Sequence, residues 1–562
     1  MGTQSIRAIR QALATSMAHR LERENMTRIG TTVWHNGSVW VDSHTSTHAL
    51  ASTAGVIVAH GDDAIAMIAS ADEVIDLNGQ TAGPGFGDGH AHPVFGGIET
   101  LFAPVRGHRD LASLIAAIKK WADENPDAQW VRGEGYDPSL APRGEFDAAW
   151  LDDIVPDRPV VLRAMDYHTA WVNTKAMELA GITSDTPQPI DGDITLREDG
   201  TPMGTLREWG AWGMVYDLLP PLTKEQSVAA VQAASDAYAT CGVTWAQDAW
   251  VSPDTLDIWL AGAKAGALTF RANLAWLAEP EDKWRTAFPT FAALKDRVDN
   301  ESPELLTGNT IKFFADGILE GGTAAVLEAY CDCPTSHGIP NWRPEELIEA
   351  VAECVRLGFQ PHIHAIGDAG VRTALDAFEN AIAQHGTANN PIMAHCQLVD
   401  PADITRFREL GVIANFEPLW AQLEAEQTVL TIPRIGQERA DRQYPIATML
   451  STGAKVSFGS DWPVTSPVPM KGIGIAVTRQ TDAGEPADGW VPQERISLDQ
   501  ALTAYTKGVA VQAGEAELWG DLNVGRRADV VVFDSNIHEV SSYDIRNINV
   551  EGTWLGGKRV FG

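Results

Sequence analysis

The chain has 562 residues, 75 of them acidic against 42 basic, for a formal net charge of −33, and 44% are apolar. That length exceeds one small core and suits a large barrel with a smaller second domain. A surface this acidic repels phosphate backbones, which excludes nucleic acid and anionic membranes as partners, and no apolar run approaches the roughly 18 residues a transmembrane helix needs.

The first 28 residues lack the apolar stretch of a signal peptide. Arg7, Arg10, Arg20, Arg23 and Arg28 make them mildly basic, and they read as a helix-prone N-terminal arm or an oligomer contact. Residues 29–84 read as β. Thr32-Val33-Trp34 and Val39-Trp40-Val41 flank Asn36-Gly37, which predicts a hairpin because both turn positions tolerate positive φ. Residues 511–562 are β-rich too, with a buried-strand run at Ala528 to Asp534 and a last hairpin around Gly556-Gly557. The two ends together predict a small composite β-sandwich, with residues 85–510 inserted as the large domain.

That insert opens on Gly87-Asp88-Gly89-His90-Ala91-His92-Pro93. On an extended segment His90 and His92 share one side, so both imidazoles can reach one metal ion. Asp88 lies on the same side, where it could orient a ligand ring. Further on, strand and helix alternate. Residues 344–357 form an amphipathic helix that starts at Pro344 and stops at Gly358. Strand 359–364, helix 369–384, strand 391–395, a helix opened by Asp400-Pro401, strand 412–416, helix 446–452 and strand 455–459 follow. Repeated strand-then-helix units imply a parallel sheet with right-handed crossovers. At this length they favour an α/β fold of the (β/α)8 (TIM) barrel type with insertions, over a doubly wound sheet that lacks its glycine-rich turn.

Metal-competent side chains recur at the predicted strand ends: His90 and His92, Asp316 after the Lys312 strand, His362 and His364, His395, and Asp461. In a barrel these ends converge on one mouth. Each residue alone has a bland reading, such as a core histidine for His395, a salt bridge to Asp316 for Lys312, or a turn cap for Asp461. Their joint placement is what a bland core does not require. Cys241, Cys331, Cys333, Cys354 and Cys396 are sparse and odd in number, which suggests a reducing compartment and hence a cytoplasmic protein. The spacing of Cys331 and Cys333 is too tight for a zinc knuckle and reads as loop.

These motifs resemble the metal-dependent amidohydrolase superfamily. They are the Gly-Asp-Gly-His-Ala-His-Pro run, Ile311 to Gly317, His362 to Asp368, Ala394-His395-Cys396-Gln397 and Gly459 to Val464. Within the superfamily they resemble the family 3, YtcJ-like branch that contains N-substituted formamide deformylases. Supporting agreement comes from His168 to Asn173, Gly204 to Glu208 and Ala501 to Thr506. The resemblance implies that His90, His92 and Asp461 bind a buried metal, that His364 and His395 bind a second, and that a carboxylated Lys312 bridges the pair. A carbamate between two dications would also account for a lysine in mid-strand. Zinc is the expected metal, two ions per chain, with manganese or iron as alternatives. His362 is expected beside the site, and Ala394 stands where a Glu is expected.

The implied reaction is hydrolysis of a non-peptide carbon–nitrogen bond in an amide, N-substituted formamide or cyclic amide. Hydroxide from a metal-activated water attacks the carbonyl, and Asp461 acts as general base and then acid. His168 or Tyr136 would hold the oxyanion, and Glu208 and Trp462 would line the pocket. The alternatives are a lactone or ester hydrolase, or a ring deaminase, on the same site. A catalytically silent regulatory or binding protein on the same fold would be expected to lack ligands, and none is missing. A sugar-active barrel is disfavoured by the histidine-rich strand ends. The 19 tryptophans hint at an aromatic pocket for a small-molecule substrate. Homo-oligomers are usual in proteins of this resemblance.

Overall fold

A computed structural model describes residues 30–189 and 192–562; the expected arm at 1–28 lies outside the described residues. Eight strands form one parallel sheet whose spatial order follows the chain: β1 (Phe86–Ala91), β2 (Val243–Val251), β3 (Arg271–Leu277), β4 (Leu306–Phe314), β5 (Gln360–Ala365), β6 (Ile392–His395), β7 (Ile413–Phe416) and β8 (Lys455–Phe458). No strand order reverses, so there is no switch point of the doubly wound kind. The edge strands meet just past their ends, where Asp461 N donates to His90 O at 2.7 Å and His92 N to Trp462 O at 2.7 Å. Gly459 permits that approach, since a Cβ there would lie 2.7 Å from His90 N. The sheet is thus a nearly closed barrel.

The predicted helices and strands from residue 344 onward appear with ends shifted by a residue or two, except that the helix expected to open at Asp400-Pro401 begins at Ile404. Pro344–Arg356 starts on its proline and buries Leu347, Val351, Cys354 and Val355 against the barrel. Asp368–His385 buries Val371, Leu375 and Phe378 and ends at Gly386 in the left-handed region.

The chain's two ends share a second structure. Thr81–Pro84 pairs antiparallel with Val530–Phe533 and lies beside Ser38–Asp42 in a six-stranded sheet, which Thr45–Thr47 at one edge and the final hairpin Val550–Leu555 and Lys558–Phe561 at the other complete. A four-stranded sheet built on Thr31–His35 packs on it, and Trp34 meets Trp554 edge-on across the gap with ring centroids 5.4 Å apart. The predicted hairpin at Asn36-Gly37 is not one. Asn36 does take φ 60°, but Thr31–Trp34 pairs with Leu50–Thr53 while Ser38-Val39 pairs with Thr81-Ala82. The turn carries the chain from one sheet to the other, because each strand finds its apolar partners in a different layer.

Sequence patterning did not resolve the segment between β1 and β2. It holds a five-stranded sheet in the order Asp193–Leu196, Pro202–Arg207, Thr169–Val172, Val160–Ala164, Val131–Tyr136, with its own apolar cores. This insertion brings His168, Glu208 and Arg163 to the barrel mouth.

Candidate metal centre

Parallel strands present their C-terminal ends on one rim. There His90 Nε2 lies 3.3 Å from Lys312 Nζ and 3.7 Å from Asp461 Oδ1, and His92 Nε2 lies 3.1 Å from the same Oδ1. His90 and His395 have ring centroids 4.6 Å apart, and His364 and His395 4.5 Å. One ligand atom each from His90, His395 and Asp461 falls within 4.8 Å of the others. All six residues are buried; Lys312 is 0% exposed and Asp461, the second most open after His92, is 6%. His362 pairs with Lys312 in the β4–β5 ladder, and its Nε2 shares a 2.9 Å hydrogen bond with His90 Nδ1. It therefore steadies the His90 ring from behind.

Burial, together with the neighbouring Lys312 ammonium and other histidines, holds His90, His362 and His364 well below the ordinary imidazole range. They are neutral at pH 7, the form that ligates. Burial also lowers the Lys312 amine to about 7. Its Nζ rests over the Phe314 ring and forms no salt bridge among the described residues. Burial alone would raise Asp461, but His92, His395 and Lys312 bring it below the usual carboxylate range, so it is ionised. His395 (φ 77°) and Asp461 (φ 51°) both sit in the left-handed region. Such conformations cost on the order of 1–3 kcal/mol each and persist where surrounding structure enforces them. Here the Asp461 N–H bond to His90 O enforces one of them.

Two acidic residues do other work than the sequence suggested, and a third was not foreseen. Asp88 does not orient a ligand imidazole. Its carboxylate accepts from Ser460 N (2.9 Å), Ser460 Oγ (2.5 Å) and Tyr238 Oη (3.0 Å), clamping β1 to the segment that carries Asp461. Asp316 does not pair with Lys312; it accepts the backbone N–H groups of Ala325, Ile366 and Gly367 at the foot of the loop after β5. Glu417, which sequence reasoning missed, is fully buried just past β7, and its Oε2 lies 2.8 Å from His395 Nδ1. That bond fixes the imidazole tautomer and leaves Nε2 free, the usual carboxylate–histidine arrangement of metal ligands. Glu417 directly follows the predicted strand 412–416, so an acid at a strand end was the available signal. Asp248 in β2, 3.9 Å from His92 Nδ1, was missed likewise.

Of the expected pocket residues, His168 and Glu208 reach the rim. His168 Nδ1 lies 2.8 Å from Glu208 Oε2, Thr323 Oγ1 donates to Glu208 Oε1 at 3.0 Å, and the His168 and His364 rings are 6.1 Å apart. Burial alone would lower His168, but the Glu208 carboxylate and then Asp166 push it up to about 9. It is therefore an imidazolium at neutral pH. Tyr136 is not brought to this cluster. It packs against Phe146 and Trp171 inside the insertion, and its buried hydroxyl has no hydrogen-bond partner among the described residues. Trp462 packs on Tyr238 and covers Gly96, so its ring supports the helix Pro93–Glu99. Other aromatic residues stand against the cluster: Phe314 lies over His364, Trp250 beside His92, and Trp420 stacks on His395 at 5.3 Å.

The residues present fit a divalent ion. His92 Nδ1, His362 Nδ1 and Asp461 Oδ1 are buried polar atoms without a hydrogen bond among the described residues. Orphans of that kind cost roughly 1–3 kcal/mol each unless something satisfies them. Clustered neutral imidazoles with an ionised carboxylate are the donor set of zinc and related ions.

Comparison with known proteins agrees with this geometry. The chain is 29% identical over 505 residues to Protein LONG AFTER FAR-RED 3 of Arabidopsis thaliana, covering 87% of this chain and 83% of that protein. It is 25% identical over 492 residues to the N-substituted formamide deformylase of Arthrobacter pascens, covering 86% and 89%. In fold it resembles a metal-dependent hydrolase of Pyrococcus horikoshii OT3, with a TM-score of 0.72 and 23% identity over 91% of this chain and 99% of that one. Residues 73–561 match the sequence profile of the Amidohydrolase family, and the chain belongs to that family.

Proposed function

We propose that this protein hydrolyses a non-peptide carbon–nitrogen bond in a small amide, N-substituted formamide or cyclic amide. The observation that carries the reading is the convergence of His90, His92, Lys312, His364, His395 and Asp461 on one buried rim, with unsatisfied ligand atoms among them. His90, His92 and Asp461 would hold one ion, His364 and His395 a second, and a carboxylated Lys312 would lie between them. His364 Nε2 is engaged by Gly317 O at 3.1 Å, so Nδ1 is its remaining donor. Zinc is the proposed ion; bound there, it supplies Lewis acidity and brings the pKa of water from about 15.7 to about 7.

The chain's own residues do the rest. Asp461 is ionised, so its carboxylate accepts the proton of the attacking water and returns it to the departing nitrogen. The His168 imidazolium, held by Glu208, is a fixed donor for the carbonyl oxygen as it gains negative charge. Phe314, Trp250 and Trp420 wall the site with apolar surface, which excludes water and favours a substrate with an aromatic or branched apolar substituent. The relative from Arthrobacter pascens is named for deformylation, and its 25% identity over 492 residues makes formamides the first class to assay.

The test is to chelate the purified protein, reload it with zinc, manganese or iron, and assay N-formyl amines, amino-acid amides, cyclic amides and lactones. Amide turnover that vanishes with the metal and returns on reloading is expected. Full turnover by metal-free protein, or hydrolysis of lactones alone, would overturn the reading.

A further inference from the structure

Arg163 lies in the strand Val160–Ala164 of the insertion and is only 4% exposed. Its guanidinium sits in a cage of rings, with Cζ 4.1 Å from the Trp212 centroid, 4.4 Å from Tyr167, 5.3 Å from Tyr216, and 5.8 Å from both Phe95 and Trp250. Two of those rings also touch the rim: Phe95 stacks on His92 at 5.5 Å, and Trp250 meets His92 at 6.3 Å. The cation is thus one ring away from the candidate ligands.

Of the four acids around it, three are taken by other cations and the fourth, Asp166, is held by backbone N–H groups. Glu99 receives Arg106 through two bonds of 2.9 and 2.7 Å. Glu134 receives Arg132 at 2.9 and 2.5 Å, with Tyr216 Oη donating at 2.9 Å. The Asp166 carboxylate accepts the His168 and Thr169 N–H groups, and Glu208 is taken by His168. Arg163 itself spends Nε and Nη2 on Tyr167 O, at 3.1 and 2.9 Å. Its Nη1 donates to no described residue, and no carboxylate of the described residues forms a salt bridge with it. An ion buried without a counter-ion costs several kcal/mol, and the cage of rings offsets only part of that.

We propose that Arg163 is a specificity-determining residue that pairs through Nη1 with a carboxylate carried by the substrate. The proposal rests on the reading above and deepens it: the substrate is an N-acyl or N-formyl amine, or a cyclic amide, that bears a carboxylate near an apolar or aromatic group. The acid end meets Arg163 while the rings of Phe95 and Trp250 flank the chain that leads to the scissile bond. Guanidinium–carboxylate pairing is directional and strong when water is excluded. The net negative charge of the whole chain does not oppose it, since charges beyond about 8 Å are largely screened at physiological salt.

The test uses metal-loaded full-length protein and a matched pair, N-formylphenylalanine and its decarboxylated analogue N-formylphenethylamine. Wild type is expected to favour the acid in kcat/KM by about ten- to hundredfold, chiefly through KM, the range for a hydrogen bond to a charged group. In Arg163→Met the ratio of the two substrates should fall toward unity, and in Arg163→Lys it should fall partway. The ratio is taken within each variant, so a partly folded preparation scales both rates alike. A merely structural Arg163 would lower both rates and leave the ratio intact. If wild type cleaves the neutral analogue as well as the acid, the carboxylate proposal fails while the hydrolase reading stands. If neither is cleaved, binding of phenylacetate against phenylacetamide, wild type against Arg163→Met, decides the proposal separately. Loss of the acid's advantage in the variant supports it, and equal binding of acid and amide by wild type overturns it.

Discussion

His395 Nδ1 and Glu417 Oε2 lie 2.8 Å apart with neither side chain open to solvent. Replacing Glu417 by Gln keeps the shape but removes the charge that orders the imidazole. Removing such a partner of a metal-binding histidine typically costs about ten- to hundredfold in metal affinity or activity. Elemental analysis after dialysis, paired with kcat/KM, checks this. Unchanged metal content and rate in Glu417→Gln would count against His395 as a ligand.

Lys312→Ala is expected to lose metal and turnover together. If the lysine acts as a carbamate, a short carboxylic acid added to the variant should restore part of both, because it supplies the missing bridging oxygens. Retained metal and activity without any added acid would remove Lys312 from the site.

Ser460→Ala deletes the hydroxyl that donates to Asp88 at 2.5 Å and also accepts Trp462 N at 3.0 Å. Asp88 is wholly enclosed, so the expected loss is roughly 1–3 kcal/mol. Turnover should fall more than the lower Tm explains, because the same clamp positions Asp461. A denaturant melt and an assay well below Tm separate the two effects.

His168 provides a pH signature. Its folded pKa, about 9, is raised above the ordinary value of 6.5. The stabilisation from the His168–Glu208 pair is therefore complete below about 6.5 and is lost as pH rises through about 9. The Tm of wild type minus that of His168→Gln should shrink over that window, and an imidazole resonance absent from the variant should titrate near its upper end. A resonance that titrates near 6.5 would show that the pair does not hold.

Gly97→Ala is expected to damage the fold without touching the rim. Gly97 lies in the helix Pro93–Glu99, and a Cβ there would fall 1.9 Å from Ala230 O on the helix Lys224–Thr240. Backbone has to move, at a cost of about 1–3 kcal/mol or more. Circular dichroism melts read the loss directly, and an unaltered Tm would mean that the helices can separate freely.

Much of the barrel was legible because β5 to β8 are short and alternate with helices such as Pro344–Arg356 and Asp368–His385. The rim could be read because its residues fall at strand ends, where direction follows from period-two geometry. The insertion was not legible: its strands pair out of chain order and carry no periodicity that distinguishes them from barrel strands. The packing of Tyr136 on Phe146 and Trp171, and of Trp462 on Tyr238, was not legible either. Each lies beside a motif in sequence, and its ring partners come from distant parts of the chain. Glu417 was overlooked because a lone acid before Pro418 reads as an ordinary turn until His395 is seen against it.

Thr81–Pro84 and Val530–Phe533 are neighbours in one sheet although the whole barrel separates them in the chain. During synthesis the first of these segments emerges early, with Ser38–Asp42 on one side, and its other edge waits open until residues 530–533 have left the ribosome. Truncation from the C-terminus, even by a short hairpin far from the rim, should therefore leave a product that aggregates instead of a smaller enzyme.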